Sequence, residues 1–136
     1  MSGLADLSLV EAAEAVRRGE ATSQALLDAC WANLEAVNPQ VNATIWLDRE
    51  AADRAARAAD QAVREKKPVG PLHGIPMIHK DMYYQEGQLS TCGSALRRDW
   101  RPTVTATVLA RMAEAGAYTL DRKSTRLNSS HGYISY

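Results

Sequence analysis

Lys80 closes the one stretch of this chain whose residue types and spacing point to chemistry. Gly70-Pro71-Leu72-His73-Gly74-Ile75-Pro76-Met77-Ile78-His79-Lys80-Asp81 sets two glycines and two prolines ahead of a short apolar strand, Met77–His79, and a lysine where that strand ends. An amine at such a place can be taken out of water, and desolvation disfavours the ammonium form and lowers its pKa. A neutral amine is a competent general base for a serine hydroxyl. The alternative is a solvated cation at a strand end, loosely paired with Asp81, and on spacing alone that alternative is the commoner one.

Other chemistry-bearing residues make weaker cases. No glycine directly precedes Lys80 and no Ser or Thr follows it, so the phosphate-loop pattern fails. His73 and His79 have no carboxylate or thiol at ligand spacing, which argues against a metal. His79 is expected on the strand face opposite Lys80. Cys92 reads as a small, half-buried loop residue rather than a reactive thiol, and with Cys30 it fits neither a disulfide framework nor a metal spacing. Ser129-Ser130-His131-Gly132 places serine and histidine side by side, but no glycine-rich elbow or following helix supports a nucleophile there. Arg97-Arg98-Asp99-Trp100-Arg101 reads as a solvated face with one aromatic anchor.

The elements that position Lys80 can be read from capping and period. Ser8 and Glu11 form a capping box, Leu9, Ala12, Ala13 and Val16 share a helical face, and Gly19 supplies a left-handed stop. A second helix opens after Thr22-Ser23 with Leu26, Leu27, Cys30, Trp31, Leu34 and Val37 at helical spacing, Trp31 in the core, and Asn38-Pro39 as its end. Alternation over Val41–Leu47 suggests a short strand or extended segment. Asp48 caps a third helix to about Glu65, whose apolar face is almost all alanine and therefore suited to close packing. Lys66–Pro71 is a loop, and Ser90–Ser94 belongs to a turn-rich segment. Pro102-Thr103 opens a fourth helix with Val104, Val108, Met112 and Ala115 along one stripe, Gly116 stops it, and Ala117–Leu120 is the next strand. Helix, glycine, strand is the cadence of an α/β protein.

Together the run Gly70–Asp81, the later Thr91-Cys92-Gly93-Ser94, and the helix from Thr105-Ala106-Thr107-Val108 to Ala115-Gly116-Ala117 resemble the amidase signature family. Its members show a Gly-Pro-Leu-x-Gly-Ile-Pro-x-x-x-Lys-Asp stretch, a Thr-x-Gly-Ser loop, and a helix closing in Ala-Gly-Ala before a strand. The resemblance covers about residues 4–120. It implies an α/β fold with N-terminal helices followed by the first strands of a mixed, helix-flanked sheet, residues 1–120 being the N-terminal part of that domain. It also implies that Lys80 is the catalytic lysine of a triad whose other members are a serine nucleophile and a second serine bound through a cis peptide. Such an enzyme hydrolyses the C–N bond of a carboxamide through an acyl-enzyme, with backbone amides holding the oxyanion and with no metal or organic cofactor. Within the family, the glutaminase subunit of a tRNA-dependent amidotransferase is the alternative. From another class, a non-catalytic helical interaction module remains.

Both serines belong to parts of the family domain beyond the matched segment, so the chain as it stands is expected to be inactive, although a small-molecule amide is the substrate the complete enzyme would take. Residues 121–136 lack period and break the resemblance where a Gly-Lys-Thr-Asn-like turn would follow. They are expected to be a disordered tail of foreign origin, similar to translated adaptor sequence. Strands left with open edges predict poor solubility or self-association.

Composition bounds the rest. Sixteen basic and sixteen acidic side chains cancel over 136 residues, arguing against a nucleic-acid or anionic-membrane surface. The absence of Phe and the abundance of Ala limit how much core the segment can build. A start without a basic, apolar leader and a chain without a membrane span suggest a cytoplasmic protein.

Overall fold

The computed structural model describes residues 3–44 and 47–120. After a single 3-10 turn at Leu4–Asp6 come helices α1 (Leu9–Arg18), α2 (Ser23–Val41) and α3 (Arg49–Arg64). Then follow strand β1 (Pro76–Met77), a second 3-10 turn at Ala95–Arg97, helix α4 (Thr107–Glu114) and strand β2 (Tyr118–Thr119). The class is α/β, with three helices ahead of the first strand as expected. The two strands pair in parallel, Pro76 opposite Tyr118 and Met77 opposite Thr119.

Local chemistry explains the first three helices. The Ser8 hydroxyl accepts from the Glu11 amide while Glu11 accepts from the Ser8 amide, and Gly19 ends α1 at φ +73°. Thr22 caps α2 through the Ala25 amide, and Asp48 caps α3 through the Ala51 amide. The alanine stripe of α3 works as predicted: Ala52, Ala56 and Ala59 are buried where α3 lies against α2. Side chains without bulk let the backbones approach, and Leu27 and Leu120 close over Ala52 and Ala56. On its other flank α2 sends Leu26 into a second cluster with Ala12, Ala13, Val16 and Ile75. Consecutive leucines thus serve two small cores.

Four boundaries differ from the sequence reading. Helix α2 does not stop at Asn38-Pro39 but continues to Val41. Pro39 removes one amide, yet the Asn42 amide still closes the last turn on the Asn38 carbonyl, and the Asn38 side chain both donates to and accepts from the Thr44 backbone. Of the short strand or extended segment expected over Val41–Leu47, no strand forms where the chain is described: Val41 is helical, Asn42 is left-handed at φ +49°, and Ile45 and Trp46 lie outside the described residues. Strand β1 is Pro76–Met77 rather than Met77–His79, because the chain leaves the ladder after Met77 and turns at Lys80. Helix α4 starts at Thr107, not at Pro102-Thr103. The Pro102 carbonyl is taken by Gly87, the Ala106 amide by the Tyr84 carbonyl and the Thr105 hydroxyl by the Glu86 amide, and the segment bends at Thr103-Val104 instead of entering the helix.

The stripe predicted for α4 also fails to be its buried face. Val104, Val108 and Met112 are exposed, and Leu109 is the buried residue. Trp31 is half-buried, its indole donating to Glu35 and lying under the Arg49 guanidinium. The tail 121–136, including Ser129-Ser130-His131-Gly132, lies outside the described residues. No helix among the described residues is long and apolar enough to cross a membrane.

Candidate functional site

The glycines of the Gly70–Asp81 run are there for close approach. A side-chain carbon on Gly70 would fall 2.3 Å from the Ala115 carbonyl oxygen, and one on Gly116, at φ +98°, would fall 2.7 Å from the His73 Cα. The space they leave lets the Leu72 amide donate to the Ala115 carbonyl at 2.8 Å and the Gly74 amide to the Gly116 carbonyl at 3.1 Å. The Tyr118 and Leu120 amides then continue the register onto the Ile75 and Met77 carbonyls. Two sequence blocks separated by more than thirty positions are therefore one structural unit, a glycine-lined seam running into the parallel pair.

A buried polar network anchors this seam to the helices. Asp60 is 6% exposed and accepts from the Ser23 amide at 2.6 Å and the Gln24 amide at 3.2 Å, so a carboxylate of α3 caps the N-terminus of α2. The Ser23 hydroxyl donates to the Gly74 carbonyl at 2.7 Å and lies 3.4 Å from the Tyr118 hydroxyl. Burial pushes the Tyr118 phenol up to about 12 despite the Ser23 hydrogen bond, with the Asp60 carboxylate adding to the rise. Sequence reading missed Asp60. The signal was one charged residue on the otherwise apolar stripe of Ala52, Ala56 and Ala59.

Beyond β1 the chain turns at Lys80, whose carbonyl accepts the Tyr83 amide at 3.0 Å and faces the His79 Nδ1 at 3.1 Å. The Lys80 side chain is exposed and makes no ion pair among the described residues. Neither the desolvated amine nor the loose pairing with Asp81 is present in this segment. The Asp81 carboxylate is instead committed to Thr91, accepting its amide at 3.1 and 3.2 Å and its hydroxyl. The Ser90 hydroxyl, 2% exposed as a residue, donates to the Asp81 carbonyl at 2.6 Å. The Thr91-Cys92-Gly93-Ser94 loop is thereby stapled to the lysine turn, with Cys92 at φ +50° and Gly93 at φ +70°.

The remaining candidates resolve as structure. His73 Nε2 lies 2.9 Å from the Ala59 carbonyl and joins the loop to α3. His79 Nε2 faces Gln85 at 3.4 Å rather than projecting from a strand face. Cys92 is exposed, not half-buried, with its backbone left-handed at φ +50° and its Sγ 3.5 Å from the Arg97 guanidinium. Burial raises the Cys30 thiol. Arg97 lies over Trp100, which meets Tyr84 edge to face, so the basic run does carry one aromatic anchor. Among the described residues no three His, Cys, Asp or Glu side chains converge as metal ligands.

The amidase family pattern matches residues 25–124, spanning the glycine seam, the lysine turn and the stapled loop. The chain belongs to the amidase family. A glutamyl-tRNA(Gln) amidotransferase subunit from Roseiflexus sp. (strain RS-1) is 41% identical over 122 residues, covering 90% of this chain and 25% of the relative. The corresponding protein from Halorhodospira halophila is 37% identical over 115 residues, 85% of this chain and 24% of the relative. Among solved structures, the peptide amidase of Stenotrophomonas maltophilia superposes with a TM-score of 0.76 at 28% identity, over 87% of this chain and 24% of that one. A bacterial aryl acylamidase of the amidase signature family shares the fold, with a TM-score of 0.78. The chain thus spans about a quarter of the length of the relatives it matches.

Proposed function

We propose that this chain forms the front quarter of an amide-cleaving enzyme of the amidase signature type, in which Lys80 is the general base. The observation that supports this best is the Asp81–Thr91 staple, which brings two of the three family-like blocks together at the lysine turn. In the complete domain Lys80 takes a proton by way of the bridging serine, and the nucleophilic serine oxygen attacks the carboxamide carbon. The C–N bond then breaks, the nitrogen leaves as amine or ammonia with a proton, and water discharges the acyl-enzyme. The base must lose water contact to hold its proton weakly, and Lys80 is exposed here. Both the desolvation and the serines have to come from outside the described residues.

The amidotransferase relatives favour a second reading, in which the amide is the side chain of glutamine and the domain is the glutaminase component of such an assembly. Ammonia release from glutamine, compared with release from simple carboxamides, separates the two when measured on residues 1–120 joined to the downstream part of a relative. Preference for glutamine selects the amidotransferase reading, and cleavage of simple amides without that preference selects the amidase. No release from either substrate by a folded, joined domain would refute both. The 136-residue chain by itself should release no ammonia from either, because a base without a nucleophile forms no acyl-enzyme.

A further inference from the structure

The Ser90-Thr91 loop grips the residue after Lys80, and among the described residues nothing grips the Lys80 side chain. The Asp81 carboxylate accepts the Thr91 amide at 3.1 and 3.2 Å and the Thr91 hydroxyl, and the Asp81 carbonyl accepts the Ser90 hydroxyl at 2.6 Å. Lys80 takes part through its carbonyl alone, which closes the turn on the Tyr83 amide. The loop is itself anchored: the Ser90 amide donates to the Trp100 carbonyl at 3.2 Å, and the Thr91 hydroxyl accepts the Gly93 amide at 3.2 Å. A lysine side chain is a flexible four-carbon stem, so it can be aimed only from a fixed backbone. That fixation reaches the turn through Asp81.

The direction of the carboxylate matters as much as its grip. Two donors from one threonine engage it, and hydrogen bonds to an ionised acceptor are the strong ones. Among the described residues the carboxylate makes no ion pair, and the nearby Arg97 guanidinium is taken up by Tyr84, Cys92 and the Trp100 ring instead. The anion beside the lysine is therefore turned into the loop. A carboxylate free to pair with the neighbouring amine would favour the ammonium, which accepts no proton.

We propose that Asp81 and Thr91 are positioning residues for Lys80. The Thr91 amide and hydroxyl hold the Asp81 carboxylate, which fixes the turn that carries the amine and denies the amine its nearest counter-ion. Neither residue touches the substrate. The inference rests on the role of Lys80 as general base.

The test uses ammonia release by the complete domain built on residues 1–120, with a melt for every variant. Thr91→Val keeps the shape of the side chain and removes the hydroxyl. It should lower kcat about ten- to a hundredfold with KM within about threefold, since a small misplacement of the base costs turnover rather than binding. Asp81→Ala should do at least as much. Thr91→Ser restores the donor and should bring kcat back to within about threefold of the parent. Arg101→Ala removes a 2.8 Å bond from the same region to the Gly87 carbonyl without touching Asp81, and should leave kcat within about twofold. In the 136-residue chain, the Tyr83 amide should exchange about tenfold faster in Asp81→Ala than in the parent. Thr91→Val and Asp81→Ala with kcat near the parent, while Lys80→Ala is inactive, would overturn the positioning role and leave the base standing. Activity retained in Lys80→Ala would instead remove the base on which the inference rests. A loss shared equally by Arg101→Ala, a loss that Thr91→Ser does not repair, or unchanged Tyr83 exchange would also overturn the proposal.

Discussion

Replacing Gly116 by alanine should cost far more than replacing Gly19, although both glycines have positive φ. Gly19, at φ +73°, has nothing within 4 Å of the added carbon, so Gly19→Ala carries only the left-handed backbone cost of roughly 1–2 kcal/mol. Gly116, at φ +98°, adds a contact of 2.7 Å to the His73 Cα, well inside the usual carbon separation of about 3.5–4.0 Å. That neighbour is backbone in the glycine seam and cannot rotate away, so relief requires the seam to open, at about 1–3 kcal/mol more. The reduction in unfolded-chain entropy is common to both variants and cancels in the comparison. Urea titration followed by circular dichroism should therefore put Gly116→Ala about 2 kcal/mol below Gly19→Ala, and the Tm should fall further by about 7 °C. A difference smaller than about 0.5 kcal/mol would show that the two blocks are not held in contact, and the explanation of why Lys80 sits where it does would lose its support.

Asp60→Ala should destabilise the fold by about 2–4 kcal/mol in the same titration, because the Ser23 and Gln24 amides lose a buried anionic acceptor, and Asp60→Asn should cost less. Tyr118 gives a pH signature. Its folded pKa of about 12 lies above the unfolded value of about 10, so its contribution is fully present below pH 10 and is lost as pH rises towards 12. Discounted for partial exposure, the loss is at most about 2 kcal/mol, and Tyr118→Phe should remove that part of the alkaline decline; an unchanged decline would refute the assignment. Asp81→Ala should release the Thr91 amide, cutting its hydrogen-exchange protection about tenfold or more while amides in the middle of α2 keep theirs.

The parts of this structure legible in the sequence are those set by local chemistry. Ser8 with Glu11, Thr22 and Asp48 fix three helix starts, and Gly19 fixes one stop, through contacts within four residues. The alanine face of α3 is legible because its period declares both burial and closeness. What is hidden depends on distant partners. Pro39 reads as a stop until Asn38 is seen bonding to Thr44, and Pro102-Thr103 reads as a helix start until residues 84–87 are seen taking the hydrogen-bonding groups of Pro102, Thr105 and Ala106. The stripe of Val104, Val108 and Met112 reads as core, but α4 begins only at Thr107, all three side chains are exposed, and Leu109 is the buried residue. At the site, Lys80 and the two flanking blocks stand out in sequence. The Asp81–Thr91 staple does not, because an Asp beside a Lys suggests an ion pair until the loop ten residues on is seen to take the carboxylate. Asp60 is hidden for the same reason: its partners lie thirty-six and thirty-seven positions away.

The role of Lys80 is tested most directly by ammonia release from a complete domain built on residues 1–120, comparing Lys80 with Lys80→Ala and Lys80→Arg. The account predicts a fall of about 10²–10⁴-fold or more in kcat for both variants, measured on domains whose circular dichroism and melts show them folded. Arginine should not rescue, since its guanidinium does not give up a proton. Activity within a few-fold of the parent in Lys80→Ala, or restored in Lys80→Arg, would contradict it.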